Sequence, residues 1–437
     1  MRKLVSLALS FAFVISAAGL FANGQTESPA ASGPISIQVF YPVAVDAPIA
    51  QILNGYVSEF EKANPNITVK PVFSGGYNDV KTAIQTTIQG GGKPPALAVM
   101  LATDLYDLIN AGYIEPLDPY LAKLPNRDSY LGDFYSSFMD NSRYNNKIWS
   151  LPFQRSAVVM YYNKDLFKQS GLSAPNSWAS LAEDAQKLTV RNGNDVSRWG
   201  ILWSTVGLPY WLFQPLAIGA GKNVVGSSDT EVYFNTPECI AAIKFYNSLS
   251  QKCKATPSGA QDTWGASPGD LASGRAAMIV HSTGSLAGIL KQAKFDVGVM
   301  AVPGEKPNTY ASVPGGGNLY ILKNAPQDQK DAAFKFMQFL TEPDRVADFS
   351  IKTGYIAARK SAYETPAMKD YIAKVPQAAE TRDALQYAGK ELSLQNLAKV
   401  RNIFQDYLQQ AFNGKLSPEE AMQKAQSEAD ASLKEFK

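Results

Sequence analysis

His281 is the only histidine in this 437-residue chain, and Cys239 and Cys253 are its only cysteines. These residue types most often ligate transition metals or form nucleophile–base pairs, so a His-rich metal cluster, an HExxH helix and a CxxC pair are all excluded. Gly92-Lys93 is followed by Pro94, where a phosphate-cradling loop needs Ser or Thr. The 39 Asp and Glu leave room for a carboxylate pair, but none stands in a recognisable catalytic setting. No metal, cofactor or catalytic residue is expected, and His281 reads as structural. Trp199, Trp203 and Trp211, with Tyr210, offer a different chemistry: stacking on a sugar face or covering a choline group by cation–π attraction, or else plain core packing. Binding is therefore expected rather than catalysis.

The balance of charge agrees. Lys and Arg number 41 against 39 for Asp and Glu, which gives no electrostatic grip on nucleic acid or an anionic membrane surface. With 45% apolar and 18% charged residues, the chain is a soluble core-former too long for one core. Met1-Arg2-Lys3, then an apolar run over 4–21 and small residues ending at Ala22, have the layout of a cleaved secretory signal over 1–22. An uncleaved anchor is the competing reading. Residues 23–34 follow as a loose leader. Export permits disulfides, but Cys239 and Cys253 flank an expected helix over 237–251. That places them roughly 20 Å apart, far beyond bridging distance, so both are expected as free thiols.

Strands alternate with helices from residue 35 onward. The patterns predict strands over 35–41, 67–73 and 96–101 and helices over 47–63, 77–89 and 103–111. Such alternation indicates a parallel-sheet α/β lobe. A second region of this kind runs over 156–274, with a strand at 157–162, and the chain from about 327 is helical in pattern. Three stretches look like ligand-facing loops: Phe73-Ser-Gly-Gly-Tyr77, Ser282-Thr-Gly-Ser285 and Gly315-Gly-Gly-Asn318. Each can equally be a cap or turn.

Ser58-Glu-Phe-Glu-Lys-Ala-Asn-Pro65, Tyr161-Tyr-Asn-Lys-Asp-Leu-Phe167 and Gly274-Arg-Ala-Ala-Met278 resemble segments of the family 1 solute-binding proteins of ABC importers. Gly284-Ser-Leu-Ala287, Lys294-Phe-Asp-Val-Gly-Val299 and Lys352-Thr-Gly-Tyr355 are similar to its glycerol-3-phosphate-binding branch. The resemblance implies a type II periplasmic binding protein fold, two α/β lobes joined by crossing hinge segments and closing on a ligand. The N-terminal lobe is expected at 35–150 plus 279–326 and the C-terminal lobe at 151–278 plus 327–437. It also implies a periplasmic protein that hands glycerol-3-phosphate, a glycerophosphodiester or a sugar to membrane permease subunits. Carried over residue by residue, the family's ligand contacts fall on Tyr77, Ser156, Ser282, Gly316, Tyr355 and Arg401. A seventh, the glutamate that holds glycerol hydroxyls, falls on Ala102. Asp104 is a candidate substitute, though from a helix start it should point elsewhere. Arg401 offers phosphate a bidentate fork, or forms a surface ion pair. Arg155, beside Ser156, either adds a second cation to the cleft or faces solvent, and Trp211 is a further candidate contact.

Overall fold

The computed structural model describes residues 33–437, so the expected signal segment and most of the leader lie outside the described residues. One nine-stranded sheet organises the rest. Its strands are β1 (Ile35–Tyr41), β2 (Ile67–Phe73), β3 (Leu97–Leu101), β4 (Leu151–Asn163), β5 (Val190–Asn192), β6 (Asp195–Trp203), β7 (Ala276–Ser282), β8 (Val297–Met300) and β9 (Pro314–Ile321). The order is β2-β1-β3-β9-β4-β7-β6-β5, with β8 paired to β4. β1, β2 and β3 run parallel, as their connection through helices requires. β9 lies antiparallel between β3 and β4.

β4 is the element that serves both halves. Its thirteen residues extend the expected strand at both ends. Residues from Leu151 to Ala157 pair with β9, and Val158 to Tyr162 pair with β7. Burial changes sides at the same point: Ala157 belongs to the first core and Val158 to the second.

The two cores do not follow the expected lobe bounds. Helices α1 (Ile49–Ala63), α2 (Tyr77–Gln89), α3 (Pro209–Ala220), α4 (Pro237–Gln251), α5 (Gln327–Leu340), α6 (Pro343–Thr353), α7 (Leu397–Phe412) and α8 (Pro418–Leu433) cover the sheet. Phe334, Phe336, Met337 and Leu340 of α5 and Phe349 of α6 pack into the first core with Phe60 and Ile52 of α1, not into the second. Phe60 and Phe336 meet edge to face at 4.9 Å. β8, expected in the first lobe, and β7, which the expected bounds divide at 278/279, both pair with the second half of β4. The chain therefore crosses three times: at 157–158, at 313–314, and again before Gln377, whose side chain donates to the Val297 carbonyl of β8 at 2.9 Å. Periodicity shows which face of a helix is buried but not which of two cores receives it.

Gly315-Gly-Gly-Asn318, expected as a loop, is instead the heart of β9, at a register shift between Gly317 and Asn318. A Cβ on Gly315 would overlap the Trp211 ring, and one on Gly316 would overlap the Gln154 carbonyl oxygen. Gly316 also has φ +94°. Gly112 has φ +67° but open space around it. Gly316→Ala should therefore lose more than about 2 kcal/mol in urea unfolding, and Gly112→Ala about 1 kcal/mol. Equal losses would show that close approach at β9 is not the constraint.

Candidate functional site

Between the two cores lies a narrow cavity of about 40 Å³. Tyr77, Leu101, Gly316 and Tyr355 line it on the side of the first core, and Leu208, Tyr210, Trp211 and Trp264 on the side of the second. Ser156, Ser282 and Glu391 complete the polar lining. Five of the six principal sequence-predicted contacts thus converge here, and Trp211 joins them.

Local structure explains each placement. Tyr77 is the first residue of α2, whose start is held by Asp79 accepting from the Gly76 N–H at 2.7 Å. The Tyr77 hydroxyl donates to Gln154 Oε1 of β4 at 3.3 Å. Ser156 sits in β4 just before the strand passes from one core to the other. Ser282 ends β7, and its Oγ accepts from the Gly284 N–H at 3.1 Å, capping the turn that follows. Tyr355 follows Gly354, which ends α6 in the left-handed conformation. Tyr355 belongs to the first core beside Tyr77, so the second-core walls are supplied by α3 and Trp264 instead. Trp211 is fixed by its Nε1 donating to the Pro314 carbonyl at 2.7 Å. Burial raises the phenols of Tyr77, Tyr210 and Tyr355, the last two to about 12. All three stay protonated and able to donate at neutral pH.

Three predicted residues are placed differently. Arg401, in α7, does not line the cavity; its guanidinium lies 5.5 Å from the Tyr210 ring centroid, behind that wall. Its Nη1 is buried without a hydrogen-bond partner among the described residues. Asp104 is buried and forms an ion pair with Lys81 at 3.2 Å, away from the lining. Burial raises its carboxyl against the pull of Lys81 and Arg401. Arg155 neither faces solvent nor lines the cavity. It is fully buried beneath the floor, with Nη2 3.4 Å from Glu391 Oε2 and Nη1 3.4 Å from Asn318 Oδ1. Trp199 and Trp203 do not reach the cavity either.

Glu391 and Trp264 escaped the sequence reading: a single acid among 39 and a loop tryptophan carry no local signal. Trp264 stacks on His281 at 3.9 Å, and its Nε1 donates to the Ala44 carbonyl at 3.4 Å. That bond crosses the cleft, as do Ser393 Oγ to the Thr103 carbonyl at 2.9 Å and Asn110 Nδ2 to Gln395 Oε1 at 2.8 Å. The described conformation is closed. Among the described residues no three His, Cys, Asp or Glu stand close enough to hold a metal. Cys239 and Cys253 are free thiols. Gly265-Ala-Ser-Pro-Gly269 has the GxSxG spacing of a nucleophile elbow, but its buried Ser267 opens a six-residue helix after a loop rather than a strand.

A cleft between two cores, lined by hydroxyls, aromatic rings and one carboxyl, with no activated nucleophile among the described residues, defines a solute-capture protein. A family profile described as bacterial extracellular solute-binding protein matches residues 55–377, and the chain belongs to that family. It serves an ABC importer as the exported component that delivers solute to the permease, and it is not an enzyme. Among similar proteins, the sn-glycerol-3-phosphate-binding periplasmic protein UgpB of Yersinia enterocolitica is 27% identical, over 88% of this chain and 89% of its own. That of Escherichia coli K12 is 26% identical, over 90% and 92%. The fold matches UgpB from Mycobacterium tuberculosis in complex with glycerophosphocholine, at TM-score 0.79 and 24% identity over 93% of this chain and 99% of that one. It also matches maltose-bound MalE3 of T. maritima, at TM-score 0.78 and 22% identity over 91% and 100%.

His281 forms part of the wall behind Trp264. Its Nε2 lies 2.9 Å from the Trp264 carbonyl and its Nδ1 2.9 Å from Ser285 Oγ. This arrangement is met by a neutral ring that donates from Nε2 and accepts at Nδ1. Burial lowers its pKa to about 4. As pH falls below about 6.5 the unfolded chain takes a proton that the native ring refuses. The stability contribution is thus complete above that value and is lost towards pH 4. From pH 7 to pH 5 the wild type should lose about 2 kcal/mol more than His281→Gln. Parallel pH profiles of urea unfolding for the two proteins would contradict this.

Proposed function

We propose that the cleft captures glycerol-3-phosphate or a glycerophosphodiester, with Tyr77, Ser156, Ser282, Gly316, Tyr355 and Arg401 as the ligand-binding set. The observation that carries this reading is the convergence of five of these residues on one cavity between the cores. Four hydroxyls and a glycine N–H can satisfy phosphate oxygens from several directions. On this reading Arg401, partly buried behind Tyr210, acts through its charge. The names of the relatives support the same ligand class.

A neutral sugar is the second reading. It is favoured by the lack of a cation among the lining residues and by the exposure of Trp211 and Trp264 to the cavity.

Calorimetry with glycerol-3-phosphate, glycerophosphocholine and maltose separates the two. Arg401→Gln, which removes the charge, should weaken a phosphate-bearing ligand about tenfold and leave maltose within about twofold. On the sugar reading Trp211→Ala is the damaging change. Small-angle scattering should show a smaller radius of gyration with ligand, because the walls come from both cores. An unchanged radius at saturation would remove closure from the mechanism. Residues 1–22 are proposed as a cleaved signal, and the mass of the mature chain recovered from the periplasm tests it.

A further inference from the structure

Among the described residues, Glu391 is the only acid that lines the cavity. It is 2% exposed. Its Oε2 accepts from Arg155, while its Oε1 accepts no hydrogen bond from any described residue. Every other side-chain oxygen of the lining is a hydroxyl, able to donate as well as accept. A glycerol moiety brings O–H groups that need acceptors, and although burial raises the Glu391 carboxyl to about 8 against the pull of Arg155, its unpartnered oxygen keeps a lone pair to accept one in either protonation state.

Ala102 and Asp104 do not fill that role. Ala102 is fully buried and absent from the lining, and Asp104 is taken by Lys81. Glu391 arrives on a different piece of chain, between Leu392 of the second core and the third crossing. Arg155 beneath it engages Oε2 at 3.4 Å, which leaves Oε1 without a partner on a residue that lines the cavity. The hydroxyls of Ser156, Ser282, Tyr77 and Tyr355 remain for the anionic end.

We propose that Glu391 is the specificity-determining residue that accepts the ligand's free hydroxyls, supplying from the second side of the cleft the carboxylate missing at Ala102. This rests on the glycerophosphate reading above. It sets the ligand's direction, with the phosphate away from Glu391 and the diol against it.

The test is a comparison of two probes, glycerol-3-phosphate and ethyl phosphate, which lacks both hydroxyls. The wild type should prefer the first. Glu391→Gln turns the cavity-facing acceptor into a possible donor and should shrink that preference about tenfold, by weakening glycerol-3-phosphate alone. Glu391→Asp, which keeps the charge but withdraws it, should shrink the preference less. Loss of both ligands in equal proportion would show that Glu391 merely holds Arg155, and overturns the inference. If Glu391→Gln fails to fold with Arg155 unpaired, the double variant Arg155→Gln/Glu391→Gln is read by the same ratio. A wild type that binds neither phosphate would overturn the ligand reading itself, a distinct outcome from a preserved preference in Glu391→Gln.

Discussion

The buried guanidinium of Arg155 is the constraint around which the cleft is built. A charge with no access to water must be matched by the chain, and removing one partner of such a pair costs about 3–5 kcal/mol. Its three partners come from two separate stretches: Glu391 beyond the third crossing, and the Gly316 carbonyl and Asn318 amide of β9. Asn318 in turn donates to Ser142 and Ser150, which ties the floor to the first core. β4 can carry Arg155 below the cavity and Ser156 into it because successive side chains of a strand leave on opposite faces. The same alternation that buries the charge therefore presents the hydroxyl.

Much of the fold was legible in the sequence, for a physical reason. β1, β2 and α2 form at the expected residues because short β-branched runs and one-sided apolar stripes are local signals. Gly315 to Gly317 misled because glycine marks a turn and a close backbone approach equally well, and only the neighbouring Trp211 and Gln154 decide between them. The lobe bounds failed for a similar reason. α5 and α6 are amphipathic, and nothing along the chain states that Phe336 meets Phe60. At the site, motif-borne residues were found and isolated ones were not. Tyr77 follows Gly75-Gly76 and Ser282 opens a Ser-Thr-Gly-Ser turn, whereas Glu391 and Trp264 become functional only when distant segments meet.

The relatives share a scaffold across different solutes. Their names include glycerol-3-phosphate, glycerophosphocholine and maltose binders on one architecture. Fold alone leaves the ligand open. What distinguishes this chain is the make-up of its lining, with neutral phenols, two tryptophans and one carboxylate arranged around a narrow space. Two of its cations, Arg155 and Arg401, stand one layer back. Charge acts here through the walls, and direct contact is left to hydroxyls and rings.

The threefold crossing has a consequence for how the chain is made. The first core needs β9 between β3 and β4, with Gly317 against Leu101, and then the aromatic face of α5. The second needs α7 and α8, which lie far along the chain from β4. Neither can be finished from the N-terminal half, and contacts between such distant residues are slow to form. A polypeptide that leaves the ribosome or a secretion pore N-terminus first therefore cannot complete the first core before α5 has emerged, nor the second before α8. The interleaving that gives the cleft its hinges also keeps the nascent chain threadable.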